Sequence, residues 1–160
     1  MPSFKNIILT TDMSENATAA IPYAMELARQ SSATVRVLYV FEDILHEFGS
    51  FADASMSYDP QAWLNATLAY REKQLHELVA RIPRLENVKL VPVLLNGYAS
   101  QQIVTLAAET QADCVVIATH GRSGFAHFLY GSVAEKVVRM CPCPVLTVRP
   151  KTVVRGDGKP

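Results

Sequence analysis

Residues 114 to 150 decide the fold and read CVVIATHGRSGFAHFLYGSVAEKVVRMCPCPVLTVRP. The opening run Cys114–Ala118 is continuous and apolar, which is typical of a strand buried on both faces of a parallel sheet. Glycines at 121 and 124 interrupt the run. From Gly131 onward, apolar residues recur at the spacing of a helix, at Val133, Val137 and Met140. The stretch therefore predicts a strand, a glycine-containing loop, a helix and a closing strand over residues 144–149.

The start of the last predicted helix has the features of an anion site. A helix N-terminus has unpaired backbone N–H groups and a partial positive charge, which together favour phosphate. Two other interpretations need no ligand. Ser132 and Glu135 have the spacing of a capping box, and Gly121 and Gly124 could serve only to form a tight turn. Local chemistry alone leaves these alternatives open.

The rest of the chain alternates strands with helices. Ser14 is a good N-cap for a helix over residues 17–28, which Pro22 could bend or delay, and Asp59-Pro60 is a typical start for a long helix that ends near Arg81. The connection over residues 42–59 is too long for an ordinary loop. Further strands are predicted over residues 4–10, 35–41 and 88–95, and a further helix over residues 100–110.

Five alternating strand and helix segments predict an α/β fold. The sheet should be open, five-stranded and parallel, with helices on both faces. Ligands of such sheets bind at the carboxyl ends of the strands, where the strand order reverses. We expect one domain over residues 1–150 and a flexible tail over residues 151–160.

Composition excludes several classes of protein. Lys plus Arg and Asp plus Glu number 15 each, so the formal net charge is zero. A nucleic-acid binder or a protein of anionic membrane surfaces would usually show a basic excess. No apolar run approaches the ~20 residues of a membrane span, and residues 1–6 lack the basic region of a signal peptide. We expect a cytoplasmic protein without membrane insertion.

The three cysteines do not form a disulfide framework in this interpretation. Cys114 lies in the predicted buried strand, where a thiol packs as a small apolar group. Cys141 and Cys143 form Cys-Pro-Cys, whereas the usual redox spacing is Cys-x-x-Cys. We interpret all three as structural thiols that a reducing compartment keeps reduced.

The chain resembles the universal stress protein family over residues 5–149. The matching segments include TDMSE from Thr11, GSVAEKVVR from Gly131 and CPVLTV from Cys143. The nucleotide-binding branch of the family has a Gly, two residues, a Gly, nine residues, and then Gly-Ser or Gly-Thr. Here Gly121 and Gly131-Ser132 match that spacing, whereas the first Gly is Ala118. A negative φ at position 118 would tolerate alanine, and a positive φ would not.

The resemblance implies a Rossmann-like fold of the adenine nucleotide alpha hydrolase type that binds ATP, with or without Mg²⁺. Asp12, with its neighbours, would line the adenosine side, and Val40 would present backbone groups to adenine. Ala118 and the residues after it would pass under the ribose and phosphates, and the start of the last helix would donate N–H groups to the phosphates. From their position in the loop alone, we also expect Arg122 and Ser123 to reach the outer phosphates. The expected site residues are Thr10, Thr11, Asp12, Val40, Ile117, Ala118, His120, Gly121, Arg122, Gly131, Ser132 and Val133.

The resemblance also implies a homodimer that pairs its last strands, here Val145, Leu146, Thr147 and Val148, because an apolar edge strand must be covered or paired. The expected function is a stress-response regulator whose nucleotide state an unidentified partner protein reads. Two alternatives stay open. One is a slow ATPase, although the chain lacks the lysine motif of a P-loop. The other is a structural dimer that binds no nucleotide. We expect no catalytic residues and no protein metal site.

Overall fold

The structure is a computed structural model that describes residues 3–42, 59–119 and 132–150. Its five strands are all parallel and lie in the order β3-β2-β1-β4-β5. Strand β1 and the two strands beside it therefore occupy the centre, while β3 and β5 form the edges. The strands are β1 (Asn6–Thr11), β2 (Thr34–Phe41), β3 (Lys89–Asn96), β4 (Cys114–Ala118) and β5 (Val145–Val148).

Helices connect the strands and cover both faces of the sheet. Within the described residues they are α1 (Glu15–Thr18), α2 (Ile21–Ser31), α3 (Pro60–Arg81), α4 (Ala99–Glu109) and α5 (Ser132–Met140). The first core, on one face, joins Ile7 and Val35 of the sheet to Ala24 and Leu75 of the helices. The second core joins Ile8, Leu38 and Val115 to Ile103 of α4 and Val137 of α5.

Alternation along the strands explains the two cores. Successive side chains of a strand point to opposite faces, so Ile7 and Leu9 lie in the first core while Ile8 lies in the second. Both faces are apolar, as expected for parallel strands that are buried on both sides. The predicted fold class, an open five-stranded parallel sheet with helices on both faces, is confirmed.

Most predicted helix boundaries are confirmed, with two differences. The Ser14 hydroxyl caps α1 by accepting the N–H of Ala17 at 3.2 Å. The single helix predicted over residues 17–28 is instead two helices, because the chain turns at residues 19–20 and α2 starts just before Pro22. Met140 was placed on the apolar side of the last helix, but it lies at the helix end and is 50% exposed.

Pro92 fits within β3 because that strand is an edge. Lys89 donates its N–H to a carbonyl on the β2 side at 3.0 Å, and so does Gly97 at 2.9 Å. Backbone groups of successive strand residues point to alternate sides, so those of Pro92 point to the open edge. The ladder with β2 therefore runs unbroken from Lys89 to Asn96, with Pro92 inside it.

Asp113 aligns the amino ends of β1 and β4. One oxygen of its carboxylate accepts the backbone N–H groups of Lys5 and Asn6, each at 2.8 Å. The contact joins residues more than a hundred positions apart in sequence, and the pattern of apolar residues in the sequence did not predict it.

The predicted connection over residues 42–59 is described only at its ends, and residues 43–58 and the predicted tail over residues 151–160 lie outside the described part of the chain. None of the helices within that part is both long and apolar enough to cross a bilayer.

Candidate functional site

The carboxyl ends of β1 and β4 separate and leave a crevice. Strand β1 pairs with β2 as far as Thr11 but with β4 only as far as Leu9. Strand β4 stays paired with β5 to Ala118. The order of the strands reverses here, because β2 and β3 lie on one side of β1 and β4 and β5 on the other. This is the position where open α/β sheets bind ligands.

The turn after β1 is held by its own side chains. The Thr11 hydroxyl accepts the N–H of Met13 at 2.9 Å, and the Asp12 carboxylate accepts the N–H of Ser14, also at 2.9 Å. Met13 lies between these two contacts with a φ of 62°, a conformation that a residue with a side chain rarely adopts. The turn is therefore fixed before any ligand arrives, and it holds Asp12 at the crevice.

Thr10 is a buried polar residue at the point of separation. It is 7% exposed, and its hydroxyl lies 3.5 Å from the carbonyl of Val116, at the limit of a hydrogen bond. Its place past the last ladder pair of β1 and β4 puts it at the base of the crevice.

The backbone groups of Val40 point to the β1 side of β2, past the end of the β1–β2 ladder. Thr34 donates its N–H to the β1 side of β2 at 2.8 Å, whereas the Phe41 carbonyl accepts from the β3 side at 2.9 Å. Because directions alternate along a strand, the backbone groups of Val40 point to the β1 side. The ladder there ends at the pair Thr11–Tyr39, so the Val40 carbonyl lies beyond the last paired residue of β1.

A clamp that the sequence did not indicate fixes the end of β2. The Glu42 carboxylate accepts the N–H of Ala99 at 2.7 Å, next to the bond from Gly97 to Phe41. Helix α4 has Tyr98 as its N-cap and no capping side chain of its own. Only one sequence signal could have suggested this contact. Glu42 directly follows a buried strand, and the predicted helix start near residue 99 has no Ser, Thr, Asp or Asn as its N-cap.

Position 118 tolerates alanine in this backbone. Ala118 is the last residue of β4, and the described residues other than glycine with positive φ are Met13, Ser32 and Gln111. The methyl group of Ala118 packs against the first core. Its neighbour Ile117 is buried in the second core, so only its backbone is available to a ligand. Thr119 is also buried and donates its N–H to Val148 at 2.9 Å.

The N-terminus of α5 lies at the same edge of the sheet as the crevice. Because β4 and β5 are parallel, α5 must run back from the carboxyl edge to the amino edge. Ser132 at its start is exposed, and Val133 is half-buried against the second core. Glu135 pairs with Arg139 at 3.0 Å, one turn toward the C-terminus, and this contact does not favour the capping-box interpretation.

The structure thus brings together eight of the predicted site residues and leaves four undescribed. At the crevice edge lie Thr10, Thr11, Asp12, Val40, Ile117, Ala118, Ser132 and Val133. His120, Gly121, Arg122 and Gly131 lie outside the described residues. In the ranges 3–42, 59–119 and 132–150, no three His, Cys, Asp or Glu side chains are placed to hold a metal ion.

Comparison with known families identifies relatives along almost the whole chain. A family model described as "Universal stress protein family" matches residues 3–149. A universal stress protein of Methanocaldococcus jannaschii is 30% identical over 146 residues, which cover 91% of this chain and 82% of that protein. A second, from Thermus aquaticus, is 31% identical over 150 residues, with 91% and 99% covered.

Solved structures share the fold. The universal stress protein UspA from Lactobacillus plantarum has a TM-score of 0.73 at 22% identity, and the match covers 91% of this chain and 98% of that one. A universal stress protein in complex with cAMP has a TM-score of 0.62 at 22% identity, with 92% and 98% covered. The protein from Archaeoglobus fulgidus in complex with dAMP has a TM-score of 0.52 at 20% identity, with 91% and 98% covered.

Proposed function

Since the chain belongs to the universal stress protein family, we propose that it binds an adenine nucleotide, ATP first of all, in the crevice between β1 and β4. The single observation that carries this proposal is the early end of the β1–β4 ladder, which opens the sheet at the point where the strand order reverses. The cAMP and dAMP complexes of two structural neighbours support an adenine nucleotide as the class of ligand.

The adenosine half of the ligand would lie against the β1–α1 turn and the end of β2. The Val40 carbonyl lies beyond the last paired residue of β1 and could accept the adenine amino group, a donor that guanine lacks at that position. Asp12 is held at the same edge by its bond to the N–H of Ser14 and could accept a ribose hydroxyl. Thr10 and Thr11 would form the base and one wall of this subsite.

The phosphates would lie between the end of β4 and the start of α5. Ser132 and Val133 contribute N–H groups of the first helical turn, where the helix dipole favours an anion. The backbone of Ile117 and Ala118 would pass beneath the phosphates. The roles of His120, Gly121, Arg122 and Gly131 are inferred from the sequence alone. Mg²⁺ would be held mainly by the phosphates of ATP, as it often is at nucleotide sites.

Titration calorimetry with ATP, ADP, AMP, cAMP and GTP tests this assignment. We expect adenine nucleotides to bind and GTP to bind at least about tenfold more weakly, since one unmatched hydrogen bond costs roughly 1–3 kcal/mol. Gly131→Val, chosen from the motif, should abolish binding while the protein stays folded by circular dichroism. Equal affinity for GTP and ATP would overturn the base subsite, and unchanged affinity in Gly131→Val would overturn the phosphate subsite.

The regulatory unit would be a homodimer joined through β5. Strand β5 is an edge of the sheet. The Pro144 and Val148 carbonyls accept from β4 at 3.0 and 2.9 Å, so the backbone groups of Val145 and Thr147 point to the open edge. These groups can pair with the same strand of a second copy, which would remove an edge that proteins otherwise protect.

A proline substitution at position 147 tests the proposed dimer. Thr147→Pro removes an N–H that points away from β4, so the internal sheet keeps its bonds, whereas pairing with a second copy loses one. Thr147→Val keeps the N–H and serves as the control. Light scattering after gel filtration should give a dimer for the wild type and Thr147→Val and a monomer for Thr147→Pro. A dimeric Thr147→Pro would place the interface elsewhere.

The nucleotide state would be the signal that a partner protein reads. Hydrogen exchange measured with and without ATP tests this step, and we expect protection in the β1–α1 turn and the first turn of α5. Binding without any change in exchange would leave a partner nothing to recognise and would contradict the regulatory role.

A further inference from the structure

Cys141 and Cys143 place their thiols in direct contact. Their Sγ atoms are 3.5 Å apart, within the range of a thiol–thiol hydrogen bond. Both side chains are half-buried, whereas Cys114, in β4, is 3% exposed. A small oxidant can therefore reach the pair but not the third thiol. The pair lies where α5 ends and β5 begins, at the opposite edge of the sheet from the nucleotide crevice.

The backbone is anchored on both sides of the pair. Cys141 donates its N–H to the Val137 carbonyl at 2.9 Å and so completes the last turn of α5. The Pro144 carbonyl accepts the N–H of Val115 at 3.0 Å, which fixes the entry to β5. Pro142 lies between the cysteines and restricts the connecting backbone further. The two sulfurs are thus held near each other by the fold, and little entropy is lost if they bond.

Burial lowers the reactivity of the Cys143 thiol. Burial, and then the hydrogen bond to Cys141, raise the pKa of Cys143 to about 12. The thiolate fraction of Cys143 at neutral pH is therefore below that of an ordinary cysteine, which disfavours Cys143 as the first nucleophile. Burial also raises the pKa of Cys114, which adds to its protection from oxidants.

We propose that Cys141 and Cys143 form a reversible dithiol–disulfide site that exchanges with low-molecular-weight disulfides of the glutathione type. The Cys141 thiolate attacks one sulfur of the disulfide RSSR, forms a mixed disulfide and releases RS⁻. The Cys143 sulfur then attacks the Cys141 sulfur, loses its proton and expels the second RS⁻. Both released thiolates take up the protons, so two protein thiols are oxidised by two electrons and RSSR is reduced to two RSH.

Such a site gives the two cysteines a redox role in addition to their structural one. In a reducing compartment, a disulfide of this kind forms only transiently and reports on the thiol redox state. The oxidised form would lock the junction of α5 and β5.

Equilibration with mixtures of reduced and oxidised glutathione tests the proposal. The folded full-length chain is quenched in acid, alkylated with N-ethylmaleimide and analysed by intact mass and peptide mapping. We expect loss of two alkylation sites and of two hydrogens, mapped to a bond between Cys141 and Cys143, with Cys114 still reduced. Dithiothreitol should restore both thiols.

Three variants separate this site from general thiol oxidation. Cys143→Ser should accumulate the glutathione adduct on Cys141, because the second step is lost. Cys141→Ser should form the adduct on Cys143 much more slowly than Cys143→Ser forms it on Cys141, and Cys114→Ala should behave as the wild type. The proposal is overturned if the wild type stays reduced in oxidised glutathione, or if it stops at a glutathione adduct as Cys143→Ser does.

Discussion

The Glu42 carboxylate accepts the backbone N–H of Ala99 at 2.7 Å, and this bond ties the end of β2 to the first turn of α4. The two residues are 57 positions apart in sequence. The bond places a negative charge at a helix N-terminus, where the helix dipole favours it. It also fixes the residue two positions after Val40, whose carbonyl points into the proposed adenine subsite. Glu42 therefore joins the cap of α4 to the strand end that includes Val40.

Replacing Glu42 should weaken both the fold and the selection of adenine. Glu42→Ala leaves the first turn of α4 without a cap, which should lower the free energy of unfolding by about 1 kcal/mol in urea titrations. We also expect the ratio of ATP to GTP affinity to fall, since the end of β2 is no longer fixed.

Glu109→Ala is the matched control for Glu42→Ala. It removes the same charge from the C-terminal end of α4, where a negative charge is unfavourable, so stability should stay the same or rise slightly. If Glu42→Ala were as stable as the wild type, the Glu42–Ala99 bond would have no energetic role.

Gly97→Ala should destabilise the turn that leads into α4. Gly97 has a φ of 129°, and a Cβ atom there would lie 2.9 Å from Nε2 of Gln102. A side chain in such a backbone conformation costs about 1–3 kcal/mol, which urea denaturation would measure. The double variant Gly97→Ala, Gln102→Ala removes the steric contact but not the strain. Full recovery of stability in the double variant would show that the contact with Gln102, and not backbone strain at position 97, causes the loss of stability.

The negative charge of Asp12 should strengthen ATP binding, and its carboxylate oxygen should stabilise the turn by accepting the N–H of Ser14. Asp12→Asn keeps an oxygen that can accept the N–H of Ser14 but loses the charge, so ATP affinity should fall about tenfold or more with little change in stability. Asp12→Ala should also lose about 1 kcal/mol of stability. Asp59→Asn, at the N-cap of α3, is the control with the same charge change, and calorimetry should show unchanged ATP affinity. Wild-type affinity in Asp12→Asn would remove Asp12 from the site.

Restoring the first glycine of the family motif should bring no gain. Ala118 lies in a regular strand without a positive φ, so Ala118→Gly relieves no strain and loosens β4 by about 0.5–1 kcal/mol. We expect ATP affinity within about twofold of the wild type, a difference well under 1 kcal/mol. A tenfold increase would mean that the methyl group occupies space that the nucleotide needs.

Stability should decline in alkaline solution because of Cys143. Its pKa is raised from 9.0 to about 12 in the folded protein, so between these values the unfolded chain loses a proton that the folded chain keeps. Ionisation then favours unfolding, and stability falls as pH rises through this range. In urea titrations under reducing conditions, Cys143→Ser should show a shallower decline than the wild type. If stability fell equally steeply with pH in both proteins, the ionisation of Cys143 would not contribute to the loss of stability.

The alternating pattern of the sequence predicted the fold almost completely. Apolar runs such as Cys114–Ala118 and the helix start at Asp59-Pro60 depend on local chemistry, and local chemistry is readable from one sequence. The break between α1 and α2 could not be located from sequence, because the spacing of small apolar residues continues through it while Pro22 only permits a new start.

Contacts between distant segments could not be predicted. The bonds of Glu42 to Ala99 and of Asp113 to Lys5 and Asn6 join residues far apart in sequence, and their geometry depends on the register of the finished sheet. For the proposed site, the motif and the expected strand order pointed to the carboxyl edge of the sheet, where eight of the predicted residues lie. Two features were visible only in the strand pairing of the structure. They are the direction of the Val40 carbonyl and the early separation of β1 from β4.

Direct measurement of bound nucleotide tests the central proposal best. The freshly purified protein is denatured, and released nucleotide is identified by mass spectrometry; ATP is then titrated into nucleotide-free protein by calorimetry. We expect released adenine nucleotide and one ATP site per chain with a micromolar dissociation constant, about −8 kcal/mol. A folded protein that releases no adenine nucleotide and gives no binding heat with ATP would contradict the account.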